Sequence, residues 1–416
     1  MLQPGKAIIV GGSLGGLFVA NLLWRAGWDV QVYERAAEEL EGRGTGIVVH
    51  PELMDALRQA GCHVDDSIGV RVQERVTVGA DGTRVASCEM PQMVTAWSRL
   101  YHALKAAFPA SRYHSGKQLV SCGQNDTTAY ALFEDGTRAT ADMLVAADGI
   151  RSSVRQGLLP EARPIYAGYV AWRGLVEERA LSDLALRDIF PYFAFGLPPD
   201  EQMIAYPVAG RNNSVAPGQR RYNFVWYRPA EETTTLRDML TDGSGKLWSD
   251  GIPPPMIRLD VLAGARKAAR EVLAPQFAEV VEKTEALLFQ PIYDLESPRL
   301  AFGRVVLLGD CAFVARPHCG MGVTKAAGDA VALVQALQGN TALKAGLQAY
   351  EGPRGVLGRH VVGHARALGA YLEARARTRG RAGPFAQSRT PLEVMAETAV
   401  PLTIELVPEK WTPRSL

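Results

Sequence analysis

Four places in this 416-residue sequence hold residue types that could do chemistry. The first is the glycine turn Gly11-Gly12-Ser13-Leu14-Gly15-Gly16, with an acidic residue downstream at Glu34. An apolar run, Lys6 to Val10, leads into the turn. Leu17, Ala20, Leu22, Leu23 and Ala26 follow it at spacings of three and four. That pattern is strand, turn, helix. Gly11 permits the tight exit from the strand, and Gly16 lets the helix lie close to the sheet. The helix N-terminus offers free N–H groups and a positive dipole end to a pyrophosphate. Glu34 closes a second strand, Asp29 to Tyr33, where its carboxylate can accept from ribose hydroxyls. Ser13 stands in place of the middle glycine of GxGxxG and brings a hydroxyl. The spacing predicts a dinucleotide site; the competing reading is a structural glycine turn in an ordinary βαβ unit.

The second and third places are acidic turns. Met143 to Ala147 is a buried-type strand ending in Asp148-Gly149. Arg304 to Leu308 is another, ending in Gly309-Asp310. Small acidic turns at the carboxyl ends of parallel strands are where open α/β sheets place ligands. After Asp310 come Arg316-Pro317-His318-Cys319-Gly320-Met321-Gly322 and a long helix to about Leu337, a second dipole end aimed at the same region. His318 lies between that turn and those glycines, with an unperturbed pKa of about 6.5. A catalytic base or hydrogen-bond partner fits it, and so does a structural histidine bonded to a loop. The fourth place is the stretch Gly42 to His50, where alternate glycines at 42, 44 and 46 suggest backbone against a flat ligand. His50 precedes Pro51 at a helix mouth and reads either as a cap or as a ligand contact.

The elements that must position these residues follow from local patterns. Helices are expected at 52–60, 95–108, 235–240, 263–281 and from about 343 to 381. Hairpins are expected at Asp81-Gly82 and Asp135-Gly136. Between about Ile165 and Gln290 aromatic residues concentrate and alternation returns, which predicts a mostly antiparallel sheet with one face covered. Core packing accounts for most of those aromatics; Trp172-Arg173 and Tyr206-Pro207 are singled out as exceptions. Arginines at 354, 359, 366, 375 and 377 read as a solvated helix face. The chain is 47% hydrophobic and 21% charged with net charge +1, so no bulk attraction to nucleic acid or anionic membrane is expected. No stretch approaches the roughly 20 apolar residues of a membrane span. Five scattered cysteines without CxxC argue against a metal site or disulfide framework and fit a cytoplasmic location, as does an N-terminus entering a strand at once.

Three separated motifs together resemble the group A FAD-dependent aromatic hydroxylases, the para-hydroxybenzoate hydroxylase-like fold, over about residues 5 to 370. They are the Gly11-to-Glu34 fingerprint; Asp148-Gly149 with Ser152 and Arg155; and Gly309-Asp310 with Pro317 and Gly320-Met321-Gly322. The resemblance implies an α/β fold: an FAD-binding Rossmann-like domain with a parallel sheet, interleaved with a mostly antiparallel β-sheet substrate domain and a C-terminal helical region. The implied division is FAD-binding parts at 1–70, 96–164 and 291–340, substrate-domain strands at 71–95, a substrate-binding sheet domain at 165–290, and a helical region and tail at 341–416.

By position, the resemblance implies FAD contacts from Gly11, Ser13, Leu14, Gly16, Glu34, Arg35, Thr45, His50, Arg99, Asp148, Asp310, Gly320, Met321, Gly322 and Val323. Arg99 would meet the pyrophosphate, and Gly320 to Val323 would lie against the flavin ring. Substrate contacts are expected from His50, Trp172, Tyr206 and His318, with His318 and Tyr206 as the catalytic candidates. Two positions depart from the family pattern: Phe313 stands for a histidine and Thr324 for an asparagine. The implied chemistry is hydroxylation of an electron-rich hydroxylated ring. NADH or NADPH would visit transiently and reduce tightly bound, non-covalent FAD. Oxygen would then pass from a flavin hydroperoxide to the ring. Likeness within the family, in Tyr166-to-Gly174 and Ile204-to-Pro207 among others, points to an N-heteroaromatic ring of the hydroxypyridine kind. The expected partners are a small aromatic substrate and O2, with a homodimer as the candidate assembly. The rivals are an oxidase or epoxidase on the same fold, a non-catalytic FAD-binding sensor, and an NAD-dependent dehydrogenase. The last leaves the Asp148 and Asp310 motifs unexplained.

Overall fold

The computed structural model describes residues 2–40, 46–249, 251–373 and 389–401. Its first sheet forms where short, apolar runs are buried on both faces. Lys6–Val10 pairs in parallel with Asp29–Tyr33 on one side and Met143–Ala146 on the other. Val305–Leu307 continues the parallel set, and Ala301–Phe302 and Tyr113–His114 are the edges of six strands. Helices Leu14–Arg25 and Gly322–Gln338 pack together against it, so two helix N-termini face the carboxyl ends of these strands.

The second sheet has nine strands in the order Phe313–Val314, Leu288–Glu296, Ile165–Glu177, Arg221–Pro229, Gln202–Val208, Phe193–Gly196, Val70–Val78, Arg84–Ala96 and Gly46–Val49. Its pairs are antiparallel except Phe193–Gly196 with Val70–Val78. The sheet takes strands from both sides of the expected domain boundaries. Gly46–Val49 and Phe313–Val314, from segments expected to bind FAD, join it as the two edge strands. A small sheet of Leu119–Gln124, Ala129–Phe133 and Arg138–Ala141 completes the architecture.

The expectation of one covered face is corrected. Every residue of Gln202–Val208 is buried. One face packs Met203, Phe224, Trp226 and Trp172 against helices Leu259–Val272 and Pro275–Glu282. The other carries Tyr169, Ile204, Tyr206 and Tyr227. The single helix expected over 263–281 is two helices, because Pro275 lacks an N–H to continue the first and suits the first turn of the next. The long C-terminal helix, Leu343–Gly369, is less solvated than its arginines suggested. Arg354 bonds Asp329, and Arg366 bonds Asp294 and Glu296. Arg375 and Arg377 lie outside the described residues. Phe313 is buried, and a Cβ on Gly358 of this helix would strike its ring, so the departure at 313 is a packing contact. No helix among the described residues is long and apolar enough to cross a membrane.

Candidate functional site

Two contiguous cavities run between the sheets, sharing Ser13, Trp97, Ala147 and Gly149 in their walls. The smaller, about 280 Å³, is lined by Gly11, Ser13, Glu34, Arg35, Lys117 and Asp148 among others. The larger, about 530 Å³, reaches the second sheet.

The glycine turn has no room for side chains. Gly11 has φ +101°, and a Cβ there would sit 2.4 Å from the Ala147 carbonyl oxygen. A Cβ on Gly16 would fall 1.9 Å from the Gly11 carbonyl oxygen. Gly16 itself does not line either cavity; its part is this close approach. Ser13 stands at the N-cap of its helix without spending its hydroxyl there, and it borders both cavities. Glu34 is buried at the wall, where its two oxygens accept from the Gly12 N–H (2.8 Å) and the Ala36 N–H (2.9 Å).

The Asp148 turn is tied to the Asp310 turn by its own motif. One Asp148 oxygen accepts from the Ser153 N–H at 2.8 Å, while Oδ1 is buried with no hydrogen-bond partner. Desolvation by burial raises the Asp148 pKa, against the hydrogen bonds around Ser152. Ser152 caps the helix Ser153–Leu158 by accepting from the Arg155 N–H. Arg155, fully buried, donates to the carbonyls of Ile150, Ala162 and Cys311, which spaces the two turns. Gly309 is held by residues that sequence reasoning missed. Its N–H donates to Asp329 at 3.1 Å, and its carbonyl accepts from Lys325 Nζ at 3.0 Å. Both side chains come from one helical face four residues apart, a spacing visible in the sequence. Asp310 opens onto the larger cavity, where desolvation pushes its pKa up against the opposing charge of Lys325.

The wall of the larger cavity formed by the second sheet is aromatic. Phe193, Tyr206 and Tyr227 line it with Ile204, Val225 and Arg173. Tyr206 stacks on Phe193 at 4.8 Å, and burial raises its phenol pKa. A Cβ on Gly46 would strike the Tyr206 ring, so that glycine is required by a tyrosine of the protein. Gly42, Gly44 and Thr45 lie outside the described residues.

His318 also lines this cavity and is 1% exposed. Its Nδ1 meets Gln202 Oε1 at 2.9 Å and its Nε2 meets the Tyr169 hydroxyl at 2.9 Å. Gln202 Oε1 accepts only, so Nδ1 carries the proton and Nε2 accepts from Tyr169. Desolvation first, then the Arg316 charge, push the His318 pKa down to about 3. The ring is neutral at physiological pH with both nitrogens engaged. Arg316 is itself fixed by Asp294 and Glu373.

Several expected residues lie elsewhere. Trp172 is corrected from substrate contact to core. Alternation along Ile165–Glu177 turns it away from the cavity onto Phe289 at 5.2 Å, and turns Arg173 in. Arg173 follows Trp172 directly, and alternation along the strand puts it on the opposite face. His50 does not border either cavity. It is buried, its Nδ1 bonds the Thr324 hydroxyl at 3.0 Å, and its Nε2 faces Ala399 without closing a hydrogen bond. Arg99 reaches the Asn213 carbonyl (3.2 Å) and Ser67 (2.8 Å), away from the cavity walls; Trp97 of the same helix borders both cavities. Met321 sends its side chain into a cluster with Val361, Ala365 and Leu368. Leu14, Gly320, Gly322 and Val323 are at the wall as their positions implied.

Comparison with known proteins places the chain in a family. The FAD binding domain family matches residues 5–175, and an FAD binding domain-like family matches residues 166–294. The chain is 36% identical over 356 residues to 2,6-dihydroxypyridine 3-monooxygenase of Paenarthrobacter nicotinovorans, covering 83% of this chain and 86% of that one. It is 26% identical over 345 residues to 6-hydroxynicotinate 3-monooxygenase of Bordetella bronchiseptica, covering 79% and 82%. The solved structure of 2,6-dihydroxypyridine-3-hydroxylase from Arthrobacter nicotinovorans superposes with a TM-score of 0.84 at 33% identity, covering 90% of this chain and 94% of that one.

Proposed function

The chain belongs to the FAD-dependent aromatic monooxygenases, and from that premise we propose that it hydroxylates an electron-rich, hydroxylated N-heteroaromatic ring bound as its anion, using FAD, NAD(P)H and O2. The observation that carries this reading is the larger cavity: it runs from the first helix N-terminus and the Asp310 turn to an aromatic wall that holds Arg173, the one Lys or Arg among the described residues lining it.

The residues present fit FAD. The glycine turn leaves a cradle that any Cβ would fill, Ser13 keeps its hydroxyl off its own helix, and Asp148 Oδ1 is buried without a partner. Gly11, Ser13 and Leu14 would hold the pyrophosphate at the first helix N-terminus. Glu34 and Arg35 would hold the adenosine end, Asp310 the ribityl chain, and Gly320, Gly322 and Val323 the ring. When bound, the cofactor supplies the reductive activation of O2.

The chain's own residues prepare the substrate. Arg173 favours deprotonation of a ring hydroxyl, because an opposite charge nearby stabilises the anion. The anion is richer in electrons at the ring carbons and so a better nucleophile toward electrophilic oxygen. Tyr206 and Tyr227, both kept protonated by burial, donate hydrogen bonds to ring oxygens. His318, neutral and bonded on both sides, is a fixed wall that orients Tyr169 and the ring rather than a base. The aromatic sheet excludes water from the reacting atoms.

The test is NAD(P)H oxidation by the FAD-loaded protein with a panel of hydroxypyridines, phenols and their methoxy analogues, under labelled O2. The expected result is oxidation stimulated by a hydroxypyridine and a product carrying one labelled oxygen atom. Stimulation with no oxygen in any product would overturn the hydroxylase reading. Turnover of phenols alone would overturn the heteroaromatic assignment.

A further inference from the structure

Residues 389–401 lie across the strands Val70–Val78 and Arg84–Ala96, and two of them, Thr398 and Ala399, line the larger cavity. The segment contains the helix Pro391–Glu397, started by a Thr390–Glu393 capping box. Val394 and Met395 are buried against the cavity's own core.

What holds it is a buried cation. Arg75 is 0% exposed, in the middle of a strand. Its Nη1 donates to the carbonyls of Met395 and of Thr398 (2.6 Å), and its Nη2 to the carbonyl of Ala399 (3.3 Å). Nε and Nη2 share Gln92 Oε1 at 3.0 and 2.6 Å, and the Gln92 amide donates to the Ala399 carbonyl at 3.0 Å. These carbonyls form the C-terminal end of the helix, where orphan acceptors and the negative dipole end favour a cation. The same guanidinium lies 4.8 Å from the centroid of Phe193, which lines the cavity. On the other side, the Ala399 N–H donates to the His318 carbonyl at 2.8 Å. Gly320 is packed so closely that an added Cβ would come within 2.9 Å of Ala399 Cβ.

A buried charge is strongly destabilising unless its bonds are made, so a strand that needed only packing here would carry an apolar residue. Every partner of Arg75 other than Gln92 and the aromatic rings belongs to the C-terminal segment. We propose that residues 389–401 form one wall of the substrate chamber, and that Arg75 is the positioning residue that latches this wall beside the His318–Gly320 loop and seals the chamber against water. The consequence for chemistry rests on the monooxygenase reading; the latch itself rests on geometry. In the coupled reaction NAD(P)H, a proton, O2 and the ring give the hydroxylated ring, NAD(P)+ and water. In an unsealed chamber NAD(P)H, a proton and O2 give NAD(P)+ and hydrogen peroxide, with the ring unchanged.

The experiment uses the full-length, FAD-loaded protein and the variants Arg75→Met, Gln92→Leu and the pair. Amide hydrogen exchange reads the latch without needing turnover. In Arg75→Met, exchange in 389–401 should rise at least about 10-fold while strands Val70–Val78 and Arg84–Ala96 keep their protection. Peroxide formed per NAD(P)H consumed should rise several-fold, with FAD content unchanged. Gln92→Leu, at a half-buried site, should show the same pattern more weakly. The pair should add little to Arg75→Met, because both act on one carbonyl cluster. Equal loss of protection in the strands and in 389–401, or unchanged exchange in 389–401, would overturn the latch. Faster exchange without extra peroxide would overturn the seal. A wild type that hydroxylates nothing, with the exchange pattern intact, would overturn the functional reading and leave the latch standing.

Discussion

Replacing Arg173 with methionine keeps a straight aliphatic stem against the sheet and removes the one Lys or Arg among the described residues lining the larger cavity. The charge bears on three neighbours there: burial raises the phenols of Tyr206 and Tyr227 and lowers His318, and Arg173 works against the first two shifts and adds slightly to the third. A substrate oxyanion placed among those groups would be held by a charge-assisted hydrogen bond. Such a bond contributes about 1.5 to 3 kcal/mol. At about 1.4 kcal/mol per decade, kcat/KM for an anionic hydroxypyridine should fall roughly 10- to 150-fold. FAD affinity should not change, because Arg173 lies on the second sheet and does not border the smaller cavity beneath the glycine turn. The measurement is kcat/KM against pH for a hydroxypyridine and for its methoxy analogue, with FAD binding as control. The loss should be confined to pH values where the hydroxypyridine is ionised and should be absent for the analogue. A fall of less than about 3-fold, or an equal fall for the two compounds, would refute the counterion argument.

Glu34→Gln exchanges one acceptor of two buried backbone N–H groups for a donor, and should weaken FAD about 10-fold, the equivalent of one hydrogen bond; recovery of flavin fluorescence on dilution measures it, and full retention would remove Glu34 from the cofactor site. His318 gives a prediction about stability. Its folded pKa lies at about 3, below the ordinary value of about 6.5, so in that window the unfolded chain binds a proton that the folded chain does not. Stability therefore falls as pH drops, by about 2 kcal/mol between pH 7 and 5 from this residue alone. Urea unfolding of wild type and His318→Asn at both pH values should show the variant losing less, and equal losses would show that His318 does not titrate on unfolding.

What was legible in the sequence was local. The run from Lys6 to Glu34 carries its strand, turn, helix and acidic residue within one βαβ unit. The Asp148 and Asp310 turns likewise announce themselves by the strands that deliver them. What was not legible depends on distant partners or on facing. Arg75 looks like a solvent-side residue of a strand, and only the carbonyls at 395 to 399 explain its burial. His318 invites a catalytic reading until Tyr169 and Gln202 occupy its nitrogens. Trp172 and Arg173 are hard to tell apart in the sequence because a sheet buried on both faces loses the polar alternation that marks an inside.

That two-faced sheet also divides labour at single-residue resolution. Along three neighbouring strands Ile204, Tyr206, Val225, Tyr227 and Arg173 look into the chamber, while the interleaved Met203, Ala205, Phe224, Trp226 and Trp172 belong to the core behind it. The register sets Trp172 opposite Trp226, and Trp226 opposite Met203, so the core positions touch one another across the strands. For an engineer this makes the strands a ready-made combinatorial board. A library confined to the chamber-facing squares explores new ring shapes and charges and leaves the core squares untouched.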